Sequence, residues 1–366
     1  MSLTERMVGA ALEAYDPLEA RVAGGRALFD HLANRHAGRR AVPPAVGDAG
    51  AAAALDRDDV HWPSLTHPGA IVWTVVLAAG GEGEARGRAA HAGYEVTARL
   101  GRALGPDHRR HWHATTTAGT VGGAVAAALA LGTDPVVAAG HAISVAGGSI
   151  VALLERSETH LLHRDHAAET ALRCARLTGL GATREGLEHP RGLFAAMGGS
   201  PEPLLAPGAR GVIAETSFRA HATCGFNQAL VEAARAVAGG DGAPHGPAAD
   251  AAPVVVEAPV ATLALAGDPR PRTAAEAWWS APHAVAVTLL GLDLEDPVHV
   301  DDPRVAALRA HIELREGDVA RVTVGDRSAE RAEAATLTDD DLVAKWRRLN
   351  PGVAPPLDLL HDRGDG

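Results

Sequence analysis

Nineteen histidines and a single lysine, Lys345, determine where proton transfer can reside in this chain of 366 residues. Arginine is abundant but cannot give up its proton, so acid–base chemistry falls to His, Asp, Glu or Tyr. Four segments collect these types. In the first, Leu55-Asp56-Arg57-Asp58-Asp59-Val60-His61-Trp62, then Thr66-His67-Pro68-Gly69, three carboxylates and two histidines fall within twelve residues before an apolar run. A helix cap followed by a solvated acidic loop would explain part of it. Trp62 among the charges instead suggests burial, and buried charges need partners. His67 before Pro68 also sets an imidazole at the positive end of a helix, which favours the neutral, base-competent form.

The second segment is His111-Trp112-His113-Ala114-Thr115-Thr116-Thr117, again running into an apolar stretch. Threonines there can cap the helix or donate to a bound carboxylate, and Thr115 is the one taken as a substrate contact. Capping does not explain two histidines around a tryptophan. In the third segment His160, His163 and His166 recur every three residues, close to one helix face, with Arg164 and Asp165 between them. Zinc sites on helices use i, i+4 spacing with a supporting carboxylate, and that motif does not occur. An anion-binding or proton-transfer role fits better than a metal site or a purely structural cluster. The fourth segment, Ser217-Phe218-Arg219-Ala220-His221-Ala222-Thr223-Cys224, precedes a helix. No His/Asn signature accompanies Cys224, which reads as a small buried residue.

Helices must carry most of these groups. Met7 to Arg39 reads as a helical hairpin ended by Pro43-Pro44. Pro68–Ala79, Arg86–Leu104, Thr116–Leu131, Val136–Leu154 and Ala167–Leu177 follow, the third and fourth Ala-rich and buried on all sides. Asp134 and Pro135 stop one helix and start the next. From about Pro201 the texture changes. Ala229–Ala238 is a helix ending in a flexible Gly239-Gly240-Asp241-Gly242 stretch; Val254–Leu265 and Val319–Val324 suit strands, with a helix over Ala274–Leu290 between them. Helices first and a mixed segment after predict a mostly α protein, a large helical domain with a smaller α+β domain appended.

Composition narrows the partners. Apolar residues make up 46% but aromatics only 3%, so the core is Ala, Leu and Val, with 41 glycines allowing close helix approach. A formal charge of −11 without a basic run argues against a nucleic-acid or anionic-membrane surface. The region from Val121 to Leu154 reads as two buried helices, since Asp134, Pro135 and His141 interrupt it. The first twenty residues carry charges through their apolar positions and do not read as a signal peptide. Two cysteines, Cys174 and Cys224, suggest no disulfide framework, and a reducing cytoplasm is the expectation.

In order and spacing the four segments resemble the MmgE/PrpD family, which includes 2-methylcitrate dehydratase, cis-aconitate decarboxylase and iminodisuccinate epimerase. The likeness extends over HPGAIVWTVVLAAGGEGEARGRAAHAGYEVTARLG, HWHATTTAGTVGGAVAAALALGTDP, HPRGLFAAMGG and PRTAAEAWWSAPHAVAVTLL, about residues 50 to 350. It implies a helical domain of residues 1–205 and 335–366 and an α+β lid of 206–334, with the active site between them. It also implies a homodimer, and proton abstraction next to a carboxylate with no metal or organic cofactor. Residue by residue, the family's Asp-rich loop falls on Asp56 and its loop histidine on His67. The central histidine falls on His113, the lid histidine on His221, and a Lys-x-x-His segment on His160 to His163. Two family lysines are absent: His160 stands for one, and the other would fall near Thr216. A one-residue insertion separates Asp56 from His67, Val60 replaces a Thr, and the chain is shorter than typical members.

The expectation is a cofactor-independent lyase or isomerase, a dehydratase, decarboxylase or epimerase, acting on a small organic acid. Loss of two fixed positive charges argues against a tricarboxylate. His113 and His67 are the expected base and acid, and Asp56 would orient a histidine. Arg164 or Arg191 would clamp a carboxylate, with His61, His160, His163 and His221 completing the wall. Two other readings stay open. One is a non-catalytic relative that binds a small acid; the other is a metal-dependent hydrolase using His160, His163, His166 and Asp165.

Overall fold

The computed structural model describes residues 1–206, 211–239, 253–331 and 336–361. The Gly/Pro-rich stretch expected after Gly239 and the 334/335 domain boundary lie outside the described residues. The chain divides into two compact units, Met1–Phe218 with Thr338–Gly366, and Arg219–Leu337.

The first unit is helical. It contains α1 (Leu3–Glu13), α2 (Pro17–Ala41), α3 (Asp48–Ala53), α4 (Pro68–Ala78), α5 (Gly83–Arg109), α6 (Ala114–Leu131), α7 (Pro135–Ile143), α8 (Val151–Leu154), α9 (Thr159–Arg176), α10 (Leu193–Met197) and α11 (Val212–Glu215). The expected hairpin is α1–α2: Asp16 accepts from the backbone N–H groups of Leu18 and Glu19, with Pro17 at the first helical position. At the centre lies α6, buried from Ala114 to Ala128 and packed on α4, α5, α7 and α9. Small side chains let it approach closely. A Cβ on Gly122 would lie 2.0 Å from Thr97 Oγ1 and 2.5 Å from the Gly93 carbonyl, so α5 and α6 can cross only with glycine there. Among the described residues α6 is the one helix long and apolar enough to cross a membrane, and 83% of it is buried inside the unit, as a core helix is.

Local signals moved several ends. The helix expected over Val136–Leu154 stops at Ile143, and a non-helical stretch through Gly147 and Gly148 separates α7 from α8. Helix α9 begins eight residues earlier than the expected Ala167 and so carries all three histidines of the third segment.

The second unit contains α12 (Gln228–Ala238), β1 (Val254–Ala258), α13 (Val260–Ala266), α14 (Ala274–Trp278), α15 (Ala281–Leu289), α16 (Pro303–Ala310), β2 (Ile312–Glu316), β3 (Ala320–Val324) and β4 (Arg327–Arg331). The sheet order is β2-β1-β3-β4, with β1 and β2 parallel and the other pairs antiparallel. The parallel pair needs a crossover, which α13 to α16 supply. Alternate residues of β1 and β3, such as Val254, Val256, Val322 and Val324, join Leu230, Val285 and Leu289 in the core. The strand expected to reach Leu265 ends at Ala258, because Pro259 has no N–H for the ladder and α13 starts after it. The helix expected over Ala274–Leu290 is two, since Ser280 Oγ accepts from the His283 N–H and restarts it, with Pro282 in the new first turn.

After this unit the chain returns as α17 (Asp339–Leu349) and α18 (Asp358–His361), both packed on α2 of the helical unit. Residues 211–218 belong with the helical unit as well. Glu95 accepts from the Val212 N–H, and Val60 and Ser217 exchange two backbone hydrogen bonds of 2.9 Å.

Candidate active site

The loop between α3 and α4 turns at Asp56, half-buried and left-handed at φ 51°, and then runs through three buried residues, Arg57, Asp58 and Asp59. The Asp59 carbonyl accepts a hydrogen bond from His67 Nδ1 at 2.5 Å. With that nitrogen donating, the neutral ring keeps its lone pair on Nε2. The Asp59 carboxylate accepts from the Gly69 N–H at 3.0 Å and the Tyr94 hydroxyl at 2.6 Å, fastening the start of α4. Burial pushes the Asp59 carboxyl up to about 7, against the lowering effect of the Tyr94 hydrogen bond. Asp58 stands between His67 and the Arg164 guanidinium, its Oδ2 3.9 Å from His67 Nδ1 and 3.8 Å from Arg164 Nη2. Asp58 and Asp59 both hold His67.

His113 occupies the position before α6. Its N–H donates to the Gly148 carbonyl at 2.8 Å, and Trp112 forms a bridge with Ser149. Gly148, at φ +141°, lies so close that a Cβ there would be 2.5 Å from Thr116 Oγ1 and 3.4 Å from His163 Nδ1. The 147–149 turn thus closes over the start of α6 and the adjoining face of α9. The His113 and His163 rings lie 5.8 Å apart between centroids. Nδ1 of each has no hydrogen-bond partner among the described residues. Burial holds His113 well below the ordinary histidine range, and Arg164, His163, His67 and His160 push it further the same way. Burial also lowers His163, with Arg164, His160 and His166 adding to it. Both rings are therefore neutral near pH 7.

The helical unit thus brings together His67, His113, His163, Arg164 and His160, the last half-buried with Nδ1 bonded to the Ser157 carbonyl at 2.7 Å. Thr115, buried beneath them, accepts from the His67 N–H at 3.3 Å and so joins the starts of α4 and α6. Other expected residues lie elsewhere. His61 is fully buried in a structural network, 2.8 Å from Ser64 Oγ and 3.4 Å from Glu215 Oε2. Burial lowers its pKa while the Glu215 hydrogen bond raises it. Arg191 is exposed and lines a different recess of about 710 Å³, together with Ile143, Thr183, His189 and Met197. His221 belongs to the second unit, where its N–H donates to Gln228 Oε1 and its carbonyl accepts from Gln228 Nε2.

Of the supposed metal ligands on α9, His166 is exposed, and the Asp165 carboxylate accepts from the Gly47 and Gly50 N–H groups at the start of α3. Among the described residues no three His, Cys, Asp or Glu side chains converge as a metal cage. Thr216, where a family lysine would fall, donates its hydroxyl to the Val212 carbonyl. Cys174 and Cys224 are both buried. Sequence reasoning missed the parts played by Asp58, Asp59, Tyr94 and Gly148. Only the paired aspartates carried a signal, their place inside a segment already singled out.

The buried His113 and half-buried His163, both neutral, beside a guanidinium define a helical unit equipped to move protons near an anion. Residues 36–205 match the MmgE/PrpD N-terminal domain, which supports membership of the MmgE/PrpD family, known for dehydratases and related lyases. The match contains the entire histidine cluster of the helical unit. No curated protein matches the chain.

Proposed function

We propose that the protein is a cofactor-independent lyase or isomerase that removes a proton next to a carboxylate of a small organic acid. One observation carries this reading: a buried and a half-buried neutral imidazole, His113 and His163, with Nδ1 atoms unengaged among the described residues, beside the Arg164 guanidinium. A neutral imidazole kept from water accepts a carbon-bound proton, and a positioned base or acid of this kind contributes about 10²–10⁴-fold to each step. The carbanion so formed is stabilised by delocalisation into the adjacent carboxylate, whose charge Arg164 and His160 face. His67, its Nδ1 committed to Asp59, offers Nε2 for the return of a proton, either to a leaving hydroxyl or to carbon. His221 is retained as a group implied by the family resemblance.

Fixed positive charge is scarce in the cluster. Arg164 is its one arginine, and His160 and Thr216 occupy the places of the family lysines, so the substrate carries one or two carboxylates and not three. As the resemblance implies, the working form is a homodimer, and the two cysteines of the chain fit a reducing cytoplasm.

Proton NMR in D₂O of the purified protein with a panel of hydroxy-, amino- and unsaturated mono- and dicarboxylates tests the reading. Deuterium entering a carbon next to a carboxylate is the expected result, and the product separates elimination, decarboxylation and epimerisation. Tight binding of an acid without exchange or turnover would instead identify a non-catalytic binding protein.

A further inference from the structure

The only lysine of the chain is buried in the helical unit, far in sequence from every residue of the proposed site. Lys345, on α17, is 1% exposed and pairs with Asp30 of α2, also 1% exposed, at 2.6 Å. A second ammonium hydrogen goes to the Arg57 carbonyl at 2.8 Å, across 288 residues of sequence. Asn34 completes the arrangement: its Nδ2 lies 2.9 Å from Asp30 Oδ2 and 3.1 Å from the same Arg57 carbonyl. An ion pair this deep is poor evidence for stability, because desolvation of both charges offsets their attraction. What it does supply is direction, two charged or polar donors converging on one backbone oxygen.

That oxygen sits in the loop that builds the site. It lies between Asp56, whose φ of 51° is costly for a residue with a Cβ, and Asp58, which faces His67 and Arg164. Two residues on, the Asp59 carbonyl holds the Nδ1 proton of His67. The end of α17 is fastened to α2 separately, Asn350 donating to the Ala33 carbonyl and Arg40 to the Leu349 carbonyl, so the ammonium is not needed to dock the helix.

We propose that Lys345 and Asp30 are positioning residues: together they fix the Arg57 carbonyl, hence the Asp58–Asp59 backbone, and through it the tautomer and aim of His67. The inference rests on the proposed proton-transfer function for its kinetic consequence and on geometry alone for its structural one. A misplacement of about 1 Å at a reacting group costs about 10²-fold in rate.

The test compares wild type with K345M and with the double variant D30N/K345M, which leaves no unpaired buried charge if the single change prevents folding. The ¹⁵N signals of His67, assigned by loss in H67N, report its tautomer without any substrate. The folded double variant is expected to replace the single Nδ1-protonated form by a mixture, and to lower kcat for deuterium exchange about 10²-fold with KM changed less than about threefold. An unchanged His67 tautomer in a folded double variant would overturn the proposal. Loss of the single tautomer together with no exchange by the wild type would uphold the positioning role while sinking the proton-transfer reading.

Discussion

His67 and His113 open two adjacent helices from the same sequence position, yet the protein treats them differently. His67 is partly exposed and braced, with Nδ1 on the Asp59 carbonyl and Asp58 alongside. His113 is buried, with Nδ1 unpartnered among the described residues and with the Arg164 guanidinium and three further imidazoles around it. Bracing fixes a tautomer and an aim; burial without a partner fixes a charge state, because the imidazole cannot protonate without an anion. The first arrangement suits a group that delivers or receives a proton along one direction. The second suits a base kept neutral until an acid substrate arrives. An unsatisfied buried polar atom costs about 1–3 kcal/mol, and His31 and His91 outside the cluster carry the same burden.

The largest expected effect follows from the unbraced member. His113→Ala should lower kcat for deuterium exchange about 10²–10⁴-fold while raising thermal stability or leaving it unchanged, since an unsatisfied group is removed. A stability loss with full activity would reverse the contrast with His67. Arg164→Gln comes next. Loss of a charge-assisted contact to a substrate carboxylate should weaken kcat/KM about 10- to 100-fold, measured by initial rates, with the acids of fewest carboxylates affected most. Gly148→Ala presses on the same region from the other side. A Cβ at φ +141° and 2.5 Å from Thr116 Oγ1 should cost about 1–3 kcal/mol in denaturant unfolding.

Acidification sharpens the comparison through stability. His31 is lowered to about 3 and His108 to about 4, by burial first in each case, so the unfolded chain takes up their protons before the folded one. Each contributes stability above pH 6.5 that is lost as pH falls, at about 1.4 kcal/mol per pH unit. Asp59, raised to about 7, acts oppositely, its contribution present at low pH and lost as pH rises toward 7. With His113 and His283 lowered in the same sense, the lowered histidines outnumber the one raised carboxyl, so stability falls between pH 6.5 and 4, measurable as a falling urea midpoint. The smallest effect belongs to the brace. Tyr94→Phe removes one hydrogen bond to Asp59 and should cost about 1 kcal/mol in urea unfolding, with a further rise in the Asp59 pKa seen by carboxyl NMR.

These residues also show what a linear sequence conveys. His67 and His113 were legible because each precedes an apolar helical run, and a helix start fixes where its first side chain points. The His160–His163 spacing was legible for the same reason, since one helix face follows from the 3.6-residue period. The carboxylate that faces a histidine was not: a left-handed turn at Asp56 redirects the loop, so that Asp58 and Asp59 meet His67. Arg191 looked like Arg164 by type alone, but it lines another recess. In the second unit, periodicity located the sheet core but overran its ends, where Pro259 and Ser280 imposed boundaries that apolar content conceals. Lys345 stood out as a singular residue, and nothing local could reveal that it meets the Arg57 carbonyl.

The most direct measurement is a ¹⁵N titration of the His113 ring in the wild-type protein, with and without a small dicarboxylate such as succinate. The account predicts an uncharged ring at pH 7 that stays uncharged well below pH 6.5, and a shift of its Nδ1 resonance when the acid binds. A midpoint at the ordinary value near 6.5 with no response to the acid would contradict it.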